Sequence, residues 1–498
     1  MMKRLIILSI SYIFLSPIYA QEKSPEEIFR EFKQQQIASY KDFRKEVNNR
    51  YTEFMRGKWD WFNSESSIED MENKVKPMPA PSAPDEKEIN ELKKAFLEHG
   101  KVISIHKKKK AQPMPLSPIE ETIQRDEVFQ FYAYGTQMKV RIGTSSKYQL
   151  NGTTENDVAD MWMHLSDKSF NNLIYDCLQL RKEHNLCDWA YLNTLKELSQ
   201  AYYGENSNEA VVLQTFLFNQ SGYKTRIGRS RSNKLYMMIA SPNTIYGKAY
   251  FKIKDDAFYP LDYKETGLYI FAHEYPGEEG LSLSIDKEQL FDLATSDIHR
   301  IESKAADSLH IDIKFNSNLM NFYHSYPQSH INNDEMTKWT IYASTPISES
   351  VKKQLYPSLR SKIEGKTETE AANILIGFVQ TAFEYQLDEV VWGKDRPFFP
   401  EETLFYPFSD CEDRAALFSN LIRDLLGLDT VLLYYPGHLA MAVRFNSKVE
   451  GKTLLIDGKE YTYCEPTCSS YAPVGWCPTQ LASTKPVITV SYTHLTLP

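Results

Sequence analysis

Apolar residues recur at helical spacing early in the chain. Ile28, Phe32, Tyr40, Phe43, Val47, Tyr51, Phe54 and Phe62 stand mostly three or four apart, or at sums of those steps. Ser24 is placed to cap this helix, Pro25 suits its first position and Glu27 completes a capping box. Continuous to Phe62, it would run roughly 55 Å. Its aromatic stripe needs cover, either from its own domain or as an oligomerising arm. The pattern then breaks. Prolines at 77, 79, 81, 84, 113, 115 and 118 bracket a short charged helix near Glu88 to His99, predicting a linker without one conformation.

Order resumes near Ile119. Phe129 to Ile142 reads as strand, and helices are predicted over 156–162, 169–183 and 189–203. Residues 208–228 and 413–433 then share an apolar pattern at a constant offset, with Ala210, Gly222 and Thr225 matched identically. L-Y-M-M-I-A (235–240) resembles L-A-M-A-V-R (439–444), and A-F-Y-P-L-D (257–262) resembles E-Y-T-Y-C-E (460–465). This predicts a duplicated domain. Asn206 and Lys234 stand in the first copy where Cys411 and His438 stand in the second, and Asp262 stands where Glu465 stands. Between the copies, L-H-I-D-I-K-F and K-W-T-I-Y-A alternate like strands. Helices follow over 348–363 and from the capping box Thr367/Glu370. The aromatic, Pro-rich stretch 391–409 lacks periodicity and reads as a cleft-building loop.

The candidate chemistry lies between Asp410 and Glu465. Cys411 opens an amphipathic helix that ends at Gly427. A thiol there meets the positive end of the helix dipole and free backbone N–H groups, which favour thiolate and can hold an oxyanion. Asp410, Glu412 and Asp413 oppose thiolate formation, so a histidine is needed. His438 follows a strand and the turn Pro436-Gly437, and Glu465 ends a later strand. A carboxylate there can hold one ring nitrogen while the other faces the thiol. Asp457 is the competing acid, but I-D-G-K reads as a hairpin turn.

D-C-E-D-R-A-A-L-F-S-N-L-I-R-D-L-L-G-L, G-H-L-A-M-A-V and Y-C-E-P-T resemble the transglutaminase-like domain, and exported members from Bacteroidetes-type bacteria in particular. The resemblance is strongest from Trp339 to Gly475 and includes W-G-K-D-R-P-F-F-P-E-E-T-L-F-Y-P. It implies a papain-like α+β fold with a helix-borne cysteine and an antiparallel sheet. It also implies a Cys411 nucleophile, a His438 base and a Glu465 orienting acid. The family usually has aspartate before Pro-Thr, and an aromatic residue shortly after the histidine; this chain has neither. Trp392 and Tyr406 are the candidates for a second oxyanion donor.

Composition narrows the setting. Residues 1–20 read as an export signal, with Lys3 and Arg4, an apolar run and Ile18-Tyr19-Ala20, which predicts a periplasmic or secreted protein without a membrane span. Its removal changes 57 basic against 66 acidic residues to 55 against 66, which argues against nucleic acid. Lys107–Lys110 reads as solvated linker. Of the six cysteines, Cys177 and Cys187 read as buried apolar groups, with a bridge as the alternative, and Cys468 and Cys477 as a disulfide. Cys464, Cys468 and Cys477 with His438 lack the ligand spacing of a structural zinc site, and no Gly-rich phosphate loop appears. No cofactor is predicted.

The predicted order is signal (1–20), helical arm (21–70), linker (71–118), degenerate transglutaminase-like domain (119–300), bridging strands (301–346), catalytic domain (347–490) and a non-native tail (491–498). The predicted activity is cysteine-dependent acyl transfer on a peptide or protein: hydrolysis of an amide, or cross-linking if an amine resolves the intermediate. The alternative from another class is a non-catalytic binding or assembly protein.

Overall fold

The computed structural model describes residues 43–66, 75–105, 112–122, 127–305, 309–331 and 334–491. The predicted signal, the start of the arm, Lys107–Lys110 and the tail beyond Ser491 lie outside them.

Two sheets dominate. The N-terminal segment supplies β1 (Asp60–Asn63), β2 (Glu65–Ser66), β3 (Ala95–Phe96) and β4 (Val102–Ile105). Helix α1 (Asn208–Gln220) then leads into β5 (Thr225–Arg229), β6 (Leu235–Ala240), β7 (Ala249–Ile253), β8 (Asp256–Pro260) and β9 (Gly267–Phe271). Helix α2 (Cys411–Leu426) leads into β10 (Asp429–Tyr435), β11 (His438–Arg444), β12 (Lys452–Ile456), β13 (Lys459–Cys464) and β14 (Val487–Ser491). The first sheet runs β1-β9-β5-β6-β8-β7-β2 and the second β4-β14-β10-β11-β13-β12-β3. Place for place, the helix and five strands of each half repeat one topology. Only the edges differ in sense. β1 and β2 pair antiparallel to their neighbours, whereas β3 and β4 pair parallel.

The inner faces share one apolar core that runs from Tyr51 to Val474 and contains both helices. Residues 411–422 of α2 are all buried, so the helix is enclosed rather than amphipathic at a surface. The outer face of the second sheet has its own cluster, including Leu433, Tyr435 and Tyr463, covered by Met78, Leu97 and Val102. The outer face of the first sheet gathers Met238, Phe251 and Phe258 with Phe62 against them.

Several elements depart from the sequence reading. Among the described residues, the N-terminal helix runs from 43 to 55 and ends there, short of Phe62; the Trp59 indole donates to the Met55 carbonyl at 2.9 Å, and Gly57 precedes β1. Tyr51 and Met55 pack into the first half, while Phe43 and Phe54 stay exposed. The predicted strand 129–142 is a hairpin, Val128–Ala133 with Thr136–Arg141, turned by Tyr134 and Gly135 at positive φ. L-H-I-D-I is a strand, but Lys338–Ser344 is a helix, because Trp339 to Ala343 are buried on every side and the Ala343 carbonyl accepts from Asn420 at 3.0 Å. The charged linker helix shrinks to Glu86–Asn90. Short helices Asp388–Trp392 and Pro400–Phe405 interrupt the stretch read as loop.

The linker is also built into the fold. The Met78 N–H donates to the Gly437 carbonyl at 2.8 Å, and the Tyr385 hydroxyl donates to the Met78 carbonyl at 2.6 Å. The Pro81 carbonyl accepts from the Ser469 N–H at 2.9 Å. Residues 75–83 thus strap across the loops that carry His438 and follow Glu465. Gly437 sits at φ 76°, and an added Cβ would meet the Lys76 carbonyl oxygen at 2.3 Å. Gly458, at φ 74°, has open space. Gly458→Ala is therefore expected to cost about 1–2 kcal/mol, the left-handed penalty alone. Gly437→Ala should cost clearly more in denaturant unfolding; equal losses would mean that the strap does not press on this turn.

Candidate active site

The chain places a thiol at the start of a buried helix by two anchors. The Asp413 carboxylate accepts from the Asp410 N–H at 3.2 Å and from the Phe398 N–H at 2.7 Å. Arg414, fully buried, donates to the Ser409 hydroxyl and to the carbonyls of Gln380 and Phe383 at 3.0, 3.3 and 2.8 Å. Cys411 is 5% exposed, and its Sγ donates to Glu412 Oε2 at 3.1 Å. Burial pushes the thiol well above its ordinary pKa, and Glu412 and Asp410 push it further; the Leu439 N–H acts the other way.

His438 opens β11 opposite Tyr435, directly after the Pro436-Gly437 turn. β13 lies on the other side, with Cys464 opposite Met441. Glu465 therefore follows one step beyond, at the His438 end and diagonal to it. His438 Nε2 contacts both carboxylate oxygens, at 3.1 and 3.0 Å, with no exposed side-chain surface on either residue. The Tyr463 hydroxyl donates to Glu465 Oε2 at 2.6 Å, and the Thr467 N–H to Oε1 at 3.2 Å. Gln380 donates to the Glu465 carbonyl at 2.8 Å, which ties the strand end to the helix Glu368–Thr381. Burial pulls the His438 pKa down, but the Glu465 carboxylate outweighs it and the value ends above the ordinary one. Nδ1, the other ring nitrogen, is buried without a hydrogen-bond partner.

Cys411 and His438 line one cavity of about 100 Å³. The structure thus joins His438 to Glu465 directly, and Cys411 to His438 through this shared cavity rather than a hydrogen bond. The sequence reading missed its other walls. Val75 and Pro77 come from the strap, Tyr246 from the first half, and Trp339 stacks on Tyr434 at 5.0 Å. Nothing local in sequence marks Tyr246 or the strap. Carboxylates crowd the floor beside the thiol. Asp388 is pushed up to about 9 by burial and by Asp413 and Glu412. Asp410 is held well above the ordinary carboxylate value by burial, Glu412 and Asp413.

The remaining candidates lie elsewhere. Asp457, at φ 49°, sits in the two-residue turn between β12 and β13. Trp392 and Tyr406 pack around the Arg396 guanidinium, at 4.4 and 5.2 Å, and do not line the cavity. Cys468 and Cys477 are free thiols, which corrects the expected disulfide: Cys468 packs with Ala472 and Trp476, whereas Cys477 belongs to the outer cluster of the second sheet. Cys177 and Cys187 are separate and buried. Among the described residues, the groups spaced to hold a metal ion are Asp410/Cys411/Glu412 and Asp388/Asp395/Glu412, neither of which includes Cys464, Cys468 or Cys477. In the first half, Asn206 is an exposed turn residue at φ 59°, Lys234 lies over the Tyr236 ring, and Asp262 is 71% exposed and pairs with Lys196 at 2.6 Å.

No family model, curated protein or solved structure matches the chain. No helix among the described residues is long and apolar enough to cross a membrane.

The raised His438 value fixes a sign. The pair with Glu465 contributes its full stability below the unfolded histidine value of about 6.5, and that contribution is lost as pH rises through the folded value. The stability gap between wild type and His438→Gln in urea unfolding is expected to be wider at pH 5.5 than at pH 9. A gap independent of pH would mean that the buried pair is not ionic.

Proposed function

We propose that this chain is a cysteine-dependent acyl-transfer enzyme that hydrolyses a peptide or other amide bond, with Cys411 as nucleophile, His438 as general base and Glu465 as the residue that orients His438. The observation that carries it is the ring of His438. Glu465 grips Nε2 with both oxygens, while Nδ1 is buried, has no hydrogen-bond partner and belongs to the residue that shares a cavity with the thiol. This is the division of labour that a nucleophile–base–acid set requires. The resemblance to transglutaminase-like proteins supports the same three residues and a papain-like fold for the second half. The sequence supports an exported protein.

The chemistry follows from the placement. His438 Nδ1 takes the Cys411 proton, and the thiolate attacks the carbonyl carbon. The tetrahedral oxyanion is held by the Cys411 N–H at the start of α2. The C–N bond breaks as the imidazolium returns the proton to the leaving amine. Water, deprotonated by His438, then cleaves the thioester, releasing the acid and the thiol. Burial and two neighbouring carboxylates keep the resting thiol protonated, so thiolate forms only as His438 takes the proton.

A second reading, a binding or assembly protein on the same scaffold, is favoured by one observation: the thiol donates to Glu412 and not to His438. Thiol labelling separates the two. Iodoacetamide at neutral pH is expected to alkylate Cys411 of the native protein by a route in which His438 takes the thiol proton. His438→Ala should slow this by about 10²-fold or more, as for loss of a general base. A Cys411 rate that does not change in His438→Ala would favour the scaffold reading.

A further inference from the structure

The cavity beside Cys411 has an unusual charge balance. Glu335, Asp388, Glu389, Asp395, Asp410 and Glu412 line it against a single lysine, Lys338. Lys338 is already engaged by Asp395, with its Nζ 5.9 and 5.7 Å from the Tyr246 and Trp339 ring centroids. The chain thus seats one ammonium of its own against a carboxylate and two aromatic faces. The Asp395 carboxylate also belongs to an acidic cluster that reaches the thiol. Asp388, Asp395 and Glu412 bring carboxylate oxygens within 4.8 Å of one another, and Asp410, Cys411 and Glu412 form a second such group.

An independent observation points to a missing partner. Asp410 Oδ1 is buried with no donor to it, on a residue that is 5% exposed, lines the cavity and otherwise meets the Glu412 carboxylate. A buried acceptor without a donor costs about 1–3 kcal/mol. A cation reaching this floor from the cavity would supply that donor. It would also favour the ionised forms that burial and the neighbouring carboxylates disfavour at Asp388 and Asp410. The lining also includes the stacked pair Trp339–Tyr434, and aromatic ring faces attract cations.

We propose that this cavity selects a substrate with a cationic side chain, an ammonium or guanidinium, beside the reacting carbonyl, held between the Asp388, Asp410 and Glu412 carboxylates and the Trp339–Tyr434 wall. Glu412 gives the contact a second consequence. It accepts the thiol hydrogen bond at 3.1 Å. A cation on Glu412 competes for that carboxylate and frees the thiol to turn towards His438. The word substrate rests on the acyl-transfer reading; the cation site does not.

The test uses methanethiosulfonates that carry an aminoethyl, a methyl or a sulfonatoethyl group, with rates at Cys411 followed by peptide mass mapping and normalised to a small free thiol. The aminoethyl reagent is expected to react at least about tenfold faster than the sulfonatoethyl one, as for a cleft of one sign. Asp388→Asn and Glu412→Gln, made separately, should each shrink that ratio. Equal normalised rates, or a Cys411 closed to all three reagents, overturn the proposal. Protection of Cys411 by added calcium or zinc, reversed by a chelator, also overturns it in favour of a metal site. A second arm compares kcat/KM for peptide amides with lysine or glutamine beside the scissile bond. Cation-selective labelling without turnover of any peptide would defeat the acyl-transfer reading and leave the cation site standing. Turnover without charge preference, with equal labelling rates, would do the reverse.

Discussion

The buried pair of His438 and Glu465 is the constraint that the second half of this molecule is built to satisfy. A histidine and a carboxylate with no exposed side-chain surface are expensive to bury, and they persist only where geometry and further hydrogen bonds hold them. Each supporting feature serves that end. The register of β11 against β13 sets the two residues diagonally across from one another. Tyr463 and Thr467 supply two further donors to the carboxylate, and Gln380 fixes its backbone. The strap over Gly437 fixes the turn from which His438 emerges.

The first half shows what the same frame looks like without that pair. Its helix and five strands follow the order of the second half. Its counterparts of the three candidate residues lie at an exposed turn, over a tyrosine ring and in a surface ion pair. Fold and chemistry are therefore separable within one chain. The first half still contributes Tyr246 to the cavity of the second, and the N-terminal segment supplies edge strands to both sheets. The halves share a core rather than standing as beads on a linker.

Local signals in the sequence are legible where local chemistry decides the outcome. The Thr367/Glu370 capping box, the Gly427 helix end and the Asp457-Gly458 turn all appear in the structure, because each depends on a few adjacent residues. The repeated halves were legible from a shared apolar pattern. What failed depended on distant partners. Lys338–Ser344 alternates like a strand, yet burial on every side makes it a helix. The Pro-rich stretch looks unstructured, yet two sheet edges and a turn bind it. The Glu465 side chain shows the same limit. Its extra methylene relative to aspartate says nothing in sequence of Tyr463, which meets it two residues back.

The most direct measurement of the central claim is a covalent one. An activated acyl ester with a p-nitrophenyl leaving group, mixed with the protein and followed by absorbance and intact mass, reads the nucleophile itself. The proposed chemistry predicts a burst of about one p-nitrophenolate per chain, as for an acyl-enzyme, with the acyl group mapped to Cys411 and no burst in Cys411→Ala. Acyl groups found only on lysines, or a burst that survives in Cys411→Ala, would contradict it.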